Sequence, residues 1–69
     1  MSVLKVIEIL GNSTENWEDA TLTAVKHASK SIKSIKSAFV QSQSVVVEGN
    51  DIIQYRVNVK ITFEVKDDD

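Results

Sequence analysis

The chain has 69 residues, of which 42% are hydrophobic, a composition typical of one small globular domain over residues 1–69. It contains no cysteine, which excludes disulfides and thiolate metal sites. The formal net charge of −2 argues against nucleic-acid binding, because proteins that bind nucleic acids normally carry a basic excess. No apolar run approaches the ~20 residues of a membrane-spanning helix, and the N-terminal residues do not resemble a secretion signal. We therefore expect a cytoplasmic protein without a membrane partner.

The first predicted elements are a strand and a helix. Val3 to Leu10 is rich in β-branched residues, which predicts a strand. Apolar residues occupy both of its parities, as expected if both faces are covered. Gly11 to Thr14 is interpreted as a turn, with Ser13 as the N-cap of a helix over about residues 14–34. Alanines and isoleucines recur at helical spacing after Trp17, so we expect the helix backbone to lie close against a sheet.

The second half of the chain predicts a β-hairpin. A second strand is predicted over Ser37 to Val47, and Glu48 to Asp51 supplies the turn. From Ile53 to Val65, apolar and polar residues alternate without interruption. The third strand therefore has one buried, apolar face and one polar face in contact with solvent. Residues 66–69 are interpreted as a charged, frayed tail. The element order β-α-β-β predicts an α+β fold.

The predicted lengths indicate self-association. The helix spans roughly 30 Å, and the second and third strands exceed it by about 10 Å or more. One helix cannot cover the apolar face of such a hairpin, and a domain of this size is only marginally stable alone. The uncovered apolar surface therefore predicts contact with other copies of the chain.

Two segments resemble the dodecin family. Lys5 to Ser13 (KVIEILGNS) is similar to the family's passage from first strand to helix, and Tyr55 to Val65 (YRVNVKITFEV) is similar to its closing strand. With length and element order, the resemblance extends over about residues 3–65. It implies a three-stranded antiparallel sheet partly wrapped around one helix, in a hollow homododecamer. It also implies a non-enzymatic protein that binds or stores a small ligand, usually riboflavin or a relative such as FMN.

The resemblance places two flavin contacts in this chain. The stacking tryptophan of flavin-binding members aligns with Ser37, and a glutamine that hydrogen-bonds the flavin ring aligns with Arg56. Serine has no ring for stacking, a contact worth about 1–3 kcal/mol by analogy with nucleobases, and arginine has no acceptor for a ring N–H. Lys36, the neighbour of Ser37, completes the predicted cofactor-binding set. The alternative interpretation of Arg56 is a salt-bridged or solvated strand residue.

A second hypothesis is a flavin-free shell that is structural or binds calcium. A subset of dodecins lacks the flavin tryptophan and is described as calcium-binding, and Trp17-Glu18 and Tyr55-Arg56 resemble that subset. Calcium takes about 6–8 oxygen ligands, and no segment has the spacing of a calcium loop. Glu15 and Asp19 are the predicted metal ligands, although carboxylates there also suit the positive end of a helix. Further oxygen donors are Glu8, Glu48, Asn50 and Asp51, and one carboxylate per copy could converge on a symmetry axis.

Three other features favour structural roles. Trp17 heads the apolar stripe of the helix and is interpreted as an anchor on the sheet. His27 is assigned to the surface or an interface, and Lys26, Lys30 and Lys33 are assigned to a solvated helix face. No nucleophile, base and orienting group can be assembled from spacing, so no catalytic residue is predicted.

Overall fold

The computed structural model describes residues 3–65, and the predicted tail at residues 66–69 lies outside this part. The chain forms β1 (Val3–Ser13), α1 (Trp17–Ala28), β2 (Ile35–Glu48) and β3 (Asp51–Val65). The three strands make one antiparallel sheet in the order β1-β3-β2. This arrangement confirms the predicted α+β fold with β-α-β-β order.

The core lies between the helix and the central strand β3. The alternation predicted for this strand is confirmed, because Val57, Val59 and Ile61 are 0% exposed and face the helix. On the helix, the buried residues are three alanines at intervals of four: Ala20, Ala24 and Ala28. Their small side chains let the helix backbone approach the sheet, as the sequence predicted.

The beginning of the helix differs from the prediction. The N-cap is Asn16, whose Oδ1 accepts from the backbone N–H of Asp19 at 2.6 Å, and not Ser13. The reason is that β1 does not end before Gly11. It continues through Gly11 and Ser13, which pair with Val57 and Tyr55 of β3. Long-range pairing therefore holds Ser13 in the sheet and moves the cap to the next suitable side chain.

The helix also ends earlier than predicted, at Ala28 and not near residue 34. Lys30 N–H and Ser31 N–H donate to the carbonyls of His27 and Ala28, at 3.2 Å each. Such tight i→i+3 turns are common where an α-helix ends. Ser34 then has a φ of 64°, a left-handed conformation in which the chain turns from the helix toward β2.

The hairpin between β2 and β3 turns at Gly49 and Asn50, within the predicted turn. Gly49 has a φ of 65°, a conformation that glycine adopts without steric cost. Both strands are longer than predicted, since they extend to Glu48 and from Asp51. Strand β2 is irregular, because its pairing with β3 shifts register at three places.

The sheet extends well beyond the helix. The molecule measures 56 × 19 × 13 Å, whereas a helix of 12 residues is only about 18 Å long. The overhang is larger than predicted because the helix is shorter. The helix of the described part is not long and apolar enough to cross a membrane.

Candidate ligand-binding site

The predicted flavin contacts, Ser37 and Arg56, lie on the same face of the sheet but far apart. Ser37 is opposite Thr62 on β3, and Arg56 is six residues from Thr62 along that strand, a distance of about 20 Å. Both positions have the parity opposite to buried Ile61, so they lie on the face away from the helix. A small ligand therefore cannot contact both side chains of one chain.

Arg56 is held by the neighbouring strand. Its Nε donates to Oδ1 of Asn12 at 3.0 Å, across the β1–β3 pair. This hydrogen bond uses one of the five N–H donors of the guanidinium. The remaining N–H donors suit an oxygen-rich ligand. The guanidinium has no acceptor atom, so it cannot receive a hydrogen bond from a ring N–H of a ligand.

Lys36 and Ser37 lie at the opposite end of the sheet. Lys36 Nζ lies 3.6 Å from Oε1 of Glu64, and such an exposed pair contributes only about 0–1 kcal/mol. Ser37 is exposed and offers no aromatic surface. The nearest ring along β2 on this face belongs to Phe39, which is 63% exposed. The sequence prediction missed Phe39, although it lies two residues from Ser37 and the alternation of a strand already places both on one face.

Glu15 and Asp19, the predicted metal ligands, lie beside a hydrogen-bonded bend before the helix. Ser13 Oγ donates to Oδ2 of Asp19 at 2.7 Å and accepts from the backbone N–H of Glu15 at 2.9 Å. The side chain of Ser13 is buried, with 7% of the residue exposed. Asp19 therefore fastens the helix to the end of β1. The positive end of the helix dipole also favours its carboxylate.

One protomer lacks a complete calcium site within residues 3–65. No group of three or more His, Asp or Glu side chains is placed to hold a metal in this part of the chain. An open depression of about 230 Å³ beside Asp19 is lined by Asn16, Glu18 and Leu22. Since calcium takes about 6–8 oxygen ligands, the ligands offered here would need supplementing from another copy.

Trp17 anchors the start of the helix to the sheet, as predicted. Its indole Nε1–H donates to the carbonyl of Ser44 on β2 at 3.0 Å. Its ring meets the ring of Tyr55 edge to face, with centroids 5.3 Å apart and planes at 80°. Such aromatic pairs contribute about 0.5–1.5 kcal/mol beyond their buried area. Both rings lie on the helix side of the sheet, away from Ser37 and Arg56.

A groove of about 350 Å³ runs between the helix and the edge strand β1, and we call it the helix groove. Ile7 and Ile9 line it on the strand, and Ala24, His27 and Ile32 line it from the helix and the turn that follows. His27, predicted to lie at the surface or an interface, thus borders an apolar depression. The sequence did not reveal this groove, because it depends on how the helix lies over β1.

These features describe a small α+β protein with one short helix packed on a long sheet. The sheet leaves apolar and polar side chains exposed beyond the helix and on its other face. The dodecin family model matches residues 3–66, so the chain belongs to the dodecin family. It is 38% identical over 66 residues to the calcium dodecin of Mycobacterium tuberculosis, and the alignment covers 96% of this chain and 93% of that protein.

Solved structures agree with this family membership. The crystal structure of the M. tuberculosis calcium dodecin, described with a novel calcium-binding site, matches with a TM-score of 0.84 at 35% identity, covering 99% of this chain and 97% of that one. The dodecin of Streptomyces coelicolor matches with a TM-score of 0.92 at 21% identity, covering 96% and 94%. At that identity the second match establishes the fold alone.

Proposed function

We propose that the chain is a non-enzymatic dodecin that assembles into a homododecameric shell and binds calcium in preference to flavin. The observation that carries the assembly is the amount of large apolar surface that a single protomer leaves exposed. Leu4, Val6 and Leu10 share one parity of β1, on the face away from the helix. Leu10 alone is 64% exposed. Burial of one such side chain stabilises a contact by about 1.5–3 kcal/mol.

Exposed apolar side chains are spread over the whole sheet. Folded proteins rarely leave extended apolar surface in water unless it meets a partner. A closed, symmetric assembly covers such surface on every copy at once. The side chains more than a third exposed include Val3, Leu4, Val6, Leu10, Phe39, Val40, Val47, Ile52 and Ile53.

The assembly predicts a defined particle mass. At micromolar concentration, light scattering after size exclusion is expected to give about twelve times the 7.7 kDa of one chain. Leu10→Glu is expected to reduce this mass, because the charge would be buried without a partner. Gln41→Glu, an equal change of charge at an exposed polar position, is the matched control and should leave the particle intact. A wild-type mass of one chain would contradict the proposal.

The preference for calcium is supported by position 37 and by the relative. Ser37 has no ring on which a flavin could stack, and the 38% identical protein is a calcium dodecin. One protomer offers too few oxygens, so we propose that carboxylates of several copies meet in the shell. Glu15 is exposed, and Asp19 commits only Oδ2 to Ser13. These two side chains are the proposed ligands.

Calcium is expected to raise the melting temperature of the assembled protein, and a chelator to reverse the rise. A ligand at a hundred times its dissociation constant stabilises the folded state by about 2.7 kcal/mol per site. Glu15→Gln should reduce the calcium shift, since it removes a charged oxygen. Glu64→Gln, near the other end of the sheet beside Lys36, is the matched control. A melting temperature indifferent to calcium would refute the calcium assignment and leave the assembly standing.

Flavin remains the second candidate, because Phe39 offers an exposed ring on the same face as Ser37 and Arg56. Riboflavin added to the wild-type protein separates the two ligands, since stacking on an aromatic ring quenches its fluorescence. Quenching by the wild type, without any calcium shift, would support flavin. Ser37→Trp restores the family's stacking residue and should create or strengthen the quenching. Ser42→Trp, on the same face of β2, is the matched control.

A further inference from the structure

We propose that the helix groove receives the tip of the β2–β3 hairpin of a second copy. This inference rests on the proposed assembly and specifies one of its contacts. The two surfaces are apolar, complementary in charge and too far apart to meet within one protomer.

The hairpin tip is an exposed apolar wedge. Val47 and Ile52 face each other across the two strands beside the turn, and Ile53 follows. Ile52 is 53% exposed and Val47 is 58% exposed. The helix starts at Trp17, beside Tyr55, and does not reach this region. Within residues 3–65, nothing from the same protomer therefore covers the tip. These aliphatic side chains therefore need an apolar receptor elsewhere.

The helix groove has the character of such a receptor. Ile7, Ile9 and Ile32 supply an apolar lining, and Ala24 leaves space because its side chain is small. Its volume of about 350 Å³ is sufficient for a few aliphatic side chains. The groove lies at the edge of the sheet, where β1 has only one strand neighbour. A projecting hairpin can therefore approach it from outside.

The charges around the two surfaces are opposite. Between residues 37 and 55 the chain has no lysine or arginine, and its charged residues are Glu48 and Asp51 at the hairpin tip. Between residues 20 and 47 it has no acidic residue, and Lys26 and Lys30 flank His27 of the groove. The one carboxylate on the groove-lining part of β1, Glu8, has the opposite parity and lies across from Lys60. An acidic tip therefore meets a basic rim.

The contact cannot form within one chain. Ile9 in the groove is paired with Val59, seven residues from Ile52 along β3, which corresponds to about 23 Å. A contact between unlike surfaces of two copies is head-to-tail, and head-to-tail contacts close into rings when the rotation permits. The proposed groove contact is therefore compatible with a closed shell.

Disulfide trapping in the assembled protein tests this contact, and the absence of native cysteine gives a clean background. The test variant combines Ser31→Cys, in the groove lining, with Ile52→Cys at the tip. Bridged cysteines need Cα atoms within about 7 Å, so a disulfide can form only between copies. Oxidised glutathione is expected to produce covalent multimers that stop at the number of copies in the ring. Reducing agent should return them to single chains.

The matched control combines Ile52→Cys with Ser29→Cys, which is exposed, two residues from Ser31 and absent from the groove lining. It should give few covalent multimers. A second test pair, Ser31→Cys with Val47→Cys, serves if the first variant does not assemble when reduced. An assembled particle whose test pairs link no better than the control would overturn the groove contact but not the shell, and the groove would then hold a small molecule or another surface. A wild-type protein that is monomeric would overturn both proposals.

Discussion

Replacing Gly11 by alanine is expected to lower the free energy of unfolding by about 3 kcal/mol, at the upper end of the range for overpacked cores. A Cβ atom at this position would lie 2.5 Å from the carbonyl oxygen of Ala20 and 3.0 Å from Cβ of Ala24. The first of these atoms belongs to the helix backbone and cannot rotate away. The substitution must therefore push the helix from the sheet and loosen its contact with Val57, Val59 and Ile61.

Thermal unfolding at one fixed protein concentration measures this effect, since the melting temperature of an assembly depends on concentration. For a domain of this size each kcal/mol changes the melting temperature by about 4–8 °C. The control is Gly49→Ala in the hairpin turn, where an added Cβ meets nothing within 4 Å. Its φ of 65° costs alanine about 1–2 kcal/mol. A loss at Gly11 no larger than at Gly49 would disprove the close helix–sheet approach.

Ile61→Ala is expected to destabilise the protein by about 2–5 kcal/mol, the range for large-to-small changes in a packed core. Ile61 is the largest of the fully buried side chains. It lies at the centre of the sheet, between Ile7 on β1 and Ala38 on β2. Truncation removes apolar contacts and leaves a cavity that the rigid sheet fills only in part.

Urea unfolding of a graded pair checks this prediction. Ile61→Val removes one methylene at the same position and should cost about 0.5–1.5 kcal/mol. Circular dichroism reports whether both variants keep the native sheet before denaturant is added. Equal losses for Val and Ala would contradict a tightly packed site at Ile61.

Strand β3 was predictable because its information is local. Side chains alternate between the two faces of any strand, so the order of apolar and polar residues from Ile53 to Val65 identifies the buried face without knowledge of its neighbours. The alanine stripe of the helix was predictable for the same reason, since its spacing is that of one helix face. The family resemblance rested on part of this strand and on the passage from the first strand into the helix, together with chain length and element order.

The ends of the helix were not predictable, because they depend on a competition between local and distant partners. Ser13 and Asn16 are both good N-cap residues. Pairing of β1 with β3 as far as Ser13 decided in favour of Asn16. At the other end, Ile32 fits the helical periodicity but lies beyond the helix, in the lining of the groove.

The candidate sites show the same division. The sequence placed Arg56 on the polar face of its strand, and that placement is confirmed by the burial of Val57 on the other face. The distance between Ser37 and Arg56, the hydrogen bond from Arg56 to Asn12 and the face that Arg56 shares with Phe39 all depend on strand register. The register of β2 against β3 shifts at three places, and no pattern in the sequence of β2 predicted these shifts.

The sequence alone determined the element order, the two faces of β3 and the excess of apolar sheet surface over what one helix can cover. These features follow from composition and from the spacing at which apolar residues recur. The tertiary structure alone decided the helix length, the helix groove and the role of Asp19 in fastening the helix to β1. These features arise from contacts between residues distant along the chain. Strand pairing and helix packing select among conformations that short-range preferences leave nearly equal in free energy.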